Sequence, residues 1–342
     1  MTRRIQHQPA FIQVRGAVRA WFAEHRPIEA ICVAISGGAD SMALCAATVA
    51  ESPVPVHAIT VDHRLQRGSD IVARAAAESA RALGCSTATI LPVQVSNRGG
   101  MEAAARTARY EALGTARRGN PVLLGHTLDD QAETVLLGLA RGSGTRSLSG
   151  MRAFSPPWGR PLLTVRRATT GTACAELGIT PFDDPHNSDP RFTRVRVRNE
   201  ALPLLESILG GGVVEALGRT ATQLQDDGDV LDSLASDVLA GALIGNDLSV
   251  EPLIQLAPSI RRRVLRAWLL LRGTGAVTSI HLGMIDALVS RWKGQGPVAV
   301  PSADPSQLQG ARLVVQRRHG TLTLGVQQHS GAQHSECDER GT

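Results

Sequence analysis

Two short stretches of this 342-residue chain bring together side chains whose types and spacing suit chemistry. The first is Ser36-Gly37-Gly38-Ala39-Asp40-Ser41. Glycines let the backbone approach a ligand closely, and amides at the start of a following helix favour anions. Ser36 and Ser41 add hydroxyl donors, and Asp40 can hold a Mg2+ on bound phosphates. The stretch has neither the Gly-Lys-Ser/Thr of a Walker loop nor the G-x-G-x-x-G of a dinucleotide site. Many α/β turns carry a glycine pair, so these six residues alone indicate an anion site and nothing narrower.

The second stretch is Gly125-His126-Thr127-Leu128-Asp129-Asp130-Gln131-Ala132-Glu133-Thr134. His126, Asp130 and Glu133 stand at i, i+4 and i+7, which places them on one face of a helix. Such a trio can bind a metal, hold a cationic substrate, or act as acid and base. Helix capping, which favours Asp in a first turn, accounts for Asp129 or Asp130 but not for His126 or Glu133. A smaller group, Val61-Asp62-His63, ends an apolar run.

The elements that must position these residues follow from hydrophobic pattern. Residues 11–25 read as an amphipathic helix with Phe11, Val14, Val18, Trp21 and Phe22 on one face. Residues 30–35 form a continuous apolar run, as in a strand buried on both sides. The glycine turn follows, then a helix from about 42 to 49. Further strands are expected at 56–61, 87–93 and 122–125, alternating with helices at 70–83, 101–117 and 128–139; Gly84 reads as a helix C-cap. This alternation implies an α/β domain with a Rossmann-like parallel sheet and right-handed crossovers. Asp62, His63 and both stretches then fall at the carboxyl ends of strands, where nucleotides bind.

Past Arg141-Gly142-Ser143-Gly144 the alternation stops in a loop-rich stretch. Residues 200–240 read as helical, with Asp226-Asp227-Gly228-Asp229 expected at a helix boundary or linker. Helices at 260–271 and 280–291 and strands at 298–300, 313–316 and 322–324 make a smaller C-terminal α+β domain. The expected organisation is a first domain over 1–215, a smaller second domain over 216–326, and a polar, disordered tail over 327–342.

Composition sets limits on function. The net charge is +5, and of 36 basic residues only Lys293 is lysine. Arg191, Arg194, Arg196 and Arg198 form one cluster; Arg261, Arg262, Arg263, Arg266 and Arg272 form another. Both suit phosphate backbones, and solvated surface accounts for either equally well. With aromatics at 3%, any RNA would be held by charge and shape rather than stacking. Five scattered cysteines form no C-x-x-C, which argues against disulfides, zinc ribbons and iron–sulfur centres. No apolar run suffices for a membrane span or signal peptide, so a cytoplasmic protein is expected.

The string Ser36–Ser41 after a buried strand resembles the PP-loop of the ATP pyrophosphatases. Further segments resemble one family within that superfamily, the tRNA(Ile)-lysidine synthetases. They are Val61-Asp62-His63, Glu102 to Tyr110, Gly125–Gly144, Arg160-Pro161-Leu162-Leu163, Asp184-Pro185-His186-Asn187-Ser188-Asp189, and Thr193-Arg194-Val195-Arg196-Val197-Arg198 with Leu202-Pro203. Val195, Asn199 and His186 depart from the residues usual in the family, which leaves the contacts of 186–199 open.

The resemblance implies a PP-loop, adenine-nucleotide-hydrolase-like fold and an ATP- and Mg2+-dependent ligase, with catalysis in the domain over 1–215 and tRNA binding in the domain over 216–326. Such an enzyme joins L-lysine to C2 of the wobble cytidine of the CAU-anticodon isoleucine tRNA. It further implies that Ser36, Gly37, Gly38, Ala39, Asp40, Ser41, Asp62 and His63 hold the nucleotide, with Asp40 on the metal. Asp130 and Glu133 would receive lysine, His126 would lie near the phosphates, and Arg106, Arg194, Arg196 and Arg198 would contact lysine or tRNA. Whether the protein pairs as a homodimer stays open.

Overall fold

The computed structural model describes residues 8–27, 29–64, 68–94, 101–142, 144–184, 189–308 and 310–328. Ser143, the Pro185–Ser188 part of the motif above and residues 329–342 of the expected tail lie outside them, as does the side chain of Glu102.

The chain divides into two compact units between Gln225 and Asp226. In the first, helix α1 (Pro9–Glu24) precedes strand β1 (Ile31–Ile35), helix α2 (Ala39–Glu51) and strand β2 (Val56–Asp62). Helix α3 (Ser69–Leu83), strand β3 (Thr87–Pro92), helix α4 (Met101–Ala116), strand β4 (Val122–Leu123) and helix α5 (Leu128–Ala140) follow. A single turn, α6 (Thr145–Leu148), leads to the short strands β5 (Phe154–Ser155) and β6 (Trp158–Gly159). A 3-10 turn at Pro161–Thr164 precedes α7 (Arg167–Glu176). Then come α8 (Thr193–Arg196), a π-helical turn (Val197–Ala201), α9 (Leu202–Leu209) and α10 (Val213–Ala242), whose residues from Asp226 onward belong to the second unit.

The sheet order is β3-β2-β1-β4-β6-β5. All pairings are parallel except the edge pair β5–β6. The expected parallel α/β sheet is therefore present. Strand β1 is buried on both faces, which explains its unbroken apolar run. Ile31, Val33 and Ile35 face the core built with α1, α2 and α7, whereas Cys32 and Ala34 face a second cluster with Leu113 of α4. Chain order reverses at β1, whose neighbours are β2 and β4, so this is the switch point beyond which an open α/β sheet binds ligands.

Helix α7 occupies part of the stretch expected to be loop. Its Thr-Thr-Gly-Thr content gives little helical propensity. Packing compensates, because Ala173 and Cys174 are fully buried in the same cluster as Phe11 and Val14. Asp226–Asp229 sits within α10 rather than at its end. The three acidic side chains are exposed there, so water solvates them while the helix runs on.

The second unit contains β7 (Leu243–Ile244), β8 (Asp247–Ser249), α11 (Glu251–Ile254), α12 (Pro258–Leu271), α13 (Ser279–Ser290), β9 (Val298–Val300), β10 (Arg312–Arg318) and β11 (Thr321–Gln327). They form the expected smaller α+β domain, an antiparallel sheet ordered β7-β8-β11-β10-β9 with its core around the fully buried Trp268. Strands β10 and β11 are longer than their apolar residues suggest. The turn His319-Gly320 joins them with positive φ at both positions (46° and 78°), the geometry of tight hairpins. Among the described residues no single helix is long and apolar enough to cross a membrane.

Candidate active site

The glycine loop is built as its sequence requires. Gly37 adopts φ 85°, a left-handed conformation costly for other residues. Ser41 Oγ accepts from the Ser36 amide at 3.1 Å and donates to Gly38 O at 2.9 Å, which closes the loop on itself. Helix α2 then begins with no side chain on its cap, so its first amides remain for an anion. Phe182 closes one side, its amide donating to Gly37 O at 2.9 Å.

Beside the loop lies a cavity of about 450 Å3 lined by Ser36, Gly38, Asp62, His63, Arg109 and Phe182, among others. That volume suits a nucleotide-sized ligand. Asp62 is buried and accepts from the Arg64 amide at 3.0 Å. His63 keeps an unpartnered buried Nδ1, and burial, with Arg109 nearby, lowers its pKa. Arg109 has no ion pair with any described residue.

The second constellation meets the loop because β4 is β1's neighbour. A Cβ at Gly125 would lie 3.0 Å from Asp40 C and Ser41 N, so only glycine lets the strand end approach so closely. His126 is half-buried, with its Nδ1 buried and unpartnered. Desolvation, reinforced by Arg109, Arg160 and Arg106 and opposed by Asp130, holds its pKa far below the ordinary value, so the ring is neutral at pH 7. Asp130 closes a capping box: its Oδ2 accepts from the Thr127 amide and hydroxyl, both at 2.8 Å. Capping and the site's chemistry thus share this residue. Its burial disfavours charge, but Arg167 and Thr127 outweigh that, and the carboxyl titrates below its usual range. Glu133 is fully buried.

Three arginines converge on these carboxylates. Arg198 Nε donates to Glu133 Oε1 at 2.7 Å, and its Nη2 lies 3.5 Å from Asp130. Arg194 lies 3.7 Å from Glu133 and donates to Thr134 at 3.0 Å. The third, Arg167, reaches all three acids: 2.7 Å to Asp130, 3.2 Å to Glu133 and 3.5 Å to Asp40. Asp40 also accepts from the buried Thr170 hydroxyl. Burial is the largest influence on Asp40 and raises its pKa despite Thr170 and Arg167.

Two further expected residues, Arg196 and Arg106, do not touch these carboxylates. Arg196 points away from its neighbours Arg194 and Arg198 and pairs with Glu200 at 2.9 Å. Arg106 is exposed, its guanidinium 5.0 Å from the Tyr110 ring centroid. Arg167, Thr170 and Phe182 are not singled out by the sequence, and Arg109 stands there only as a member of the Glu102 to Tyr110 segment, where packing accounts for it equally well. One signal could have found Arg167: two acids on a buried helix face need cations, and Arg166-Arg167 follows soon after Arg160-Pro161-Leu162-Leu163.

The same two-part organisation appears in comparisons with known proteins. Residues 13–205 match the family model described as a PP-loop domain, and residues 248–323 match the TilS substrate binding domain. A tRNA(Ile)-lysidine synthase of Rhodococcus erythropolis is 59% identical over 319 residues, covering 93% of this chain and 97% of that protein. The chain belongs to the tRNA(Ile)-lysidine synthase family. Synthases of Nocardia farcinica (59% identity, 93% of this chain and 99% of that protein) and Mycobacterium tuberculosis (52%, 94% and 98%) agree. Among solved structures, a U34-tRNA thiolase of Methanococcus maripaludis aligns with TM-score 0.54 at 16% identity, over 64% of this chain and 81% of that one. At that identity the likeness is one of fold. The family assignment accounts for the loop: PP-loop enzymes use ATP.

Proposed function

We propose that the protein forms lysidine, joining the ε-amine of free L-lysine to C2 of the wobble cytidine in a CAU-anticodon isoleucine tRNA. The observation that carries this reading is the meeting of the glycine loop with the Asp130–Glu133 carboxylates within reach of one side chain, Arg167. An ATP-cleaving loop and a receptor for a cation are thereby adjacent.

The chemistry follows in two steps. The cytidine O2 attacks the α-phosphorus of ATP, the bond to the β-phosphate oxygen breaks, and pyrophosphate leaves. The lysine amine then attacks C2, the C2–O bond breaks, and AMP departs with that oxygen. Lysine arrives as an ammonium and must shed a proton before attack, which suits a pair of carboxylates. Neutral His126, with its free Nδ1, can donate or accept one hydrogen bond beside the phosphates. Among the described residues no cluster of three or more candidate ligands could hold a metal by itself. Asp40, a quarter exposed at the loop, fits the usual way of holding Mg2+, through one carboxylate together with substrate phosphates. The metal's part is to offset phosphate charge.

The decisive experiment incubates the protein with ATP, labelled lysine and a CAU-anticodon isoleucine tRNA transcript, then digests the RNA. A nucleoside heavier than cytidine by one lysine less water is expected. Folded protein that yields none, while still binding ATP, would refute the proposal.

A further inference from the structure

The carboxylates that would receive lysine are already neutralised. Asp40, Asp130 and Glu133 face Arg167, Arg194 and Arg198, three charges of each sign. A receptor with no residual negative charge gives an incoming ammonium no electrostatic gain unless an arginine yields its place. Geometry singles out one. Arg194 and Arg198 both hold Glu133, and Arg194 is also tied to Thr134. Arg167 alone spans all three acids, and it is the closest cation to Asp130, at 2.7 Å against 3.5 Å for Arg198.

Two features make Arg167 the movable member. It is the first residue of α7, with Arg166 at the cap, so two cations sit at the positive end of a helix dipole. Arg166 is satisfied separately by Asp129 and Glu215. Arg167 also adjoins Asp40, the second residue of the helix that starts at the phosphate loop. A triphosphate seated on that loop offers the guanidinium a denser negative charge than a single carboxylate does.

We propose that Arg167 is an internal substitute for the substrate cation, drawn off Asp130 and Glu133 by bound nucleotide, so that lysine binding depends on ATP. This rests on the functional reading above. Arg167 acts here as a positioning residue: in the resting protein it keeps the buried acids paired, and with nucleotide bound it turns toward phosphate and vacates the ammonium's place. Free lysine would then be held only where a nucleotide is ready to be used.

Equilibrium dialysis of the full chain with labelled L-lysine tests this, with and without a non-hydrolysable α,β-methylene ATP analogue and Mg2+. Wild-type affinity for lysine should rise by about tenfold with the analogue, within the usual range of coupling between sites. Arg167→Gln should bind lysine equally well in both conditions, and Arg167→Lys, which keeps the charge but not the fork, should retain part of the coupling. Nucleotide-independent lysine binding by the wild type overturns the inference, as does undiminished coupling in Arg167→Gln. Should Arg167→Gln fail to fold by circular dichroism, the wild type and Arg167→Lys still decide. Lysine incorporated into tRNA together with uncoupled binding refutes the inference alone. No lysine binding in either condition refutes the functional reading as well.

Discussion

His126 combines a desolvated ring, an Nδ1 without a partner, and three arginines whose fields oppose its protonation. Its pKa and that of His63 are both lowered on folding. Between these depressed values and the unfolded value of about 6.5, the unfolded chain binds more protons, so stability falls as pH drops through this window. Above pH 6.5 neither ring contributes a slope. Asp130 acts in a different range: its folded pKa is depressed, so its stabilisation is full above about 3.9 and is lost as pH falls through the folded value. Denaturant midpoints at pH 7.5 and 5.5 should therefore differ for the wild type and differ less for His126→Gln. An equal loss in both proteins would mean that His126 is solvated in the folded state.

At the scale of elements, the site depends on how closely β4 approaches the start of α2. A methyl group at position 125 would meet the Asp40 and Ser41 backbone at 3.0 Å, and backbone cannot rotate aside. Gly125→Ala should shift the loop rather than unfold the sheet, at a cost of about 1–3 kcal/mol. ATP binding should weaken by about tenfold or more, since 1.4 kcal/mol is a factor of ten. Calorimetric titration with ATP checks this, and an unchanged affinity would show that the loop does not depend on this contact. The sequence made such a meeting readable, because β1 and β4 are apolar strands each followed by a polar motif. Helix α1 was equally plain from Phe11, Val14, Val18, Trp21 and Phe22, all of them buried. Helix α7 was not, because its stability comes from burial against α1 and α2 rather than from its own residues. With α7 hidden, Arg167 was hidden too. Arg194 and Arg198 share a face only because their segment is helical, four residues apart, while Arg196 between them turns outward to Glu200.

Across the whole molecule, the question is which of its many arginines meet RNA. The cluster at 261–272 looked uniform in sequence, but its members differ physically. Arg261 is buried and donates to Asp286 at 2.6 Å and to Leu256 O at 2.8 Å, and Arg263 pairs with Asp232 at 2.5 Å. Arg262 keeps a side chain 54% exposed, with Asp286 no nearer than 3.7 Å. The pattern i, i+1, i+2 on a helix sends neighbours in different directions, so a run of like charges splits into structural and solvent-facing members. Removing the acid of a buried pair strands its partner's charge, so Asp286→Ala should destabilise the second unit by about 3–5 kcal/mol. The first unit has its own core, and its ATP affinity should persist. Arg262→Glu should leave both units folded but weaken tRNA retention in gels, with a salt dependence shallower by about one ion. Unchanged retention would confine tRNA recognition to the other arginines. Normal stability in Asp286→Ala would mean that Arg261 reaches water when its partner is gone.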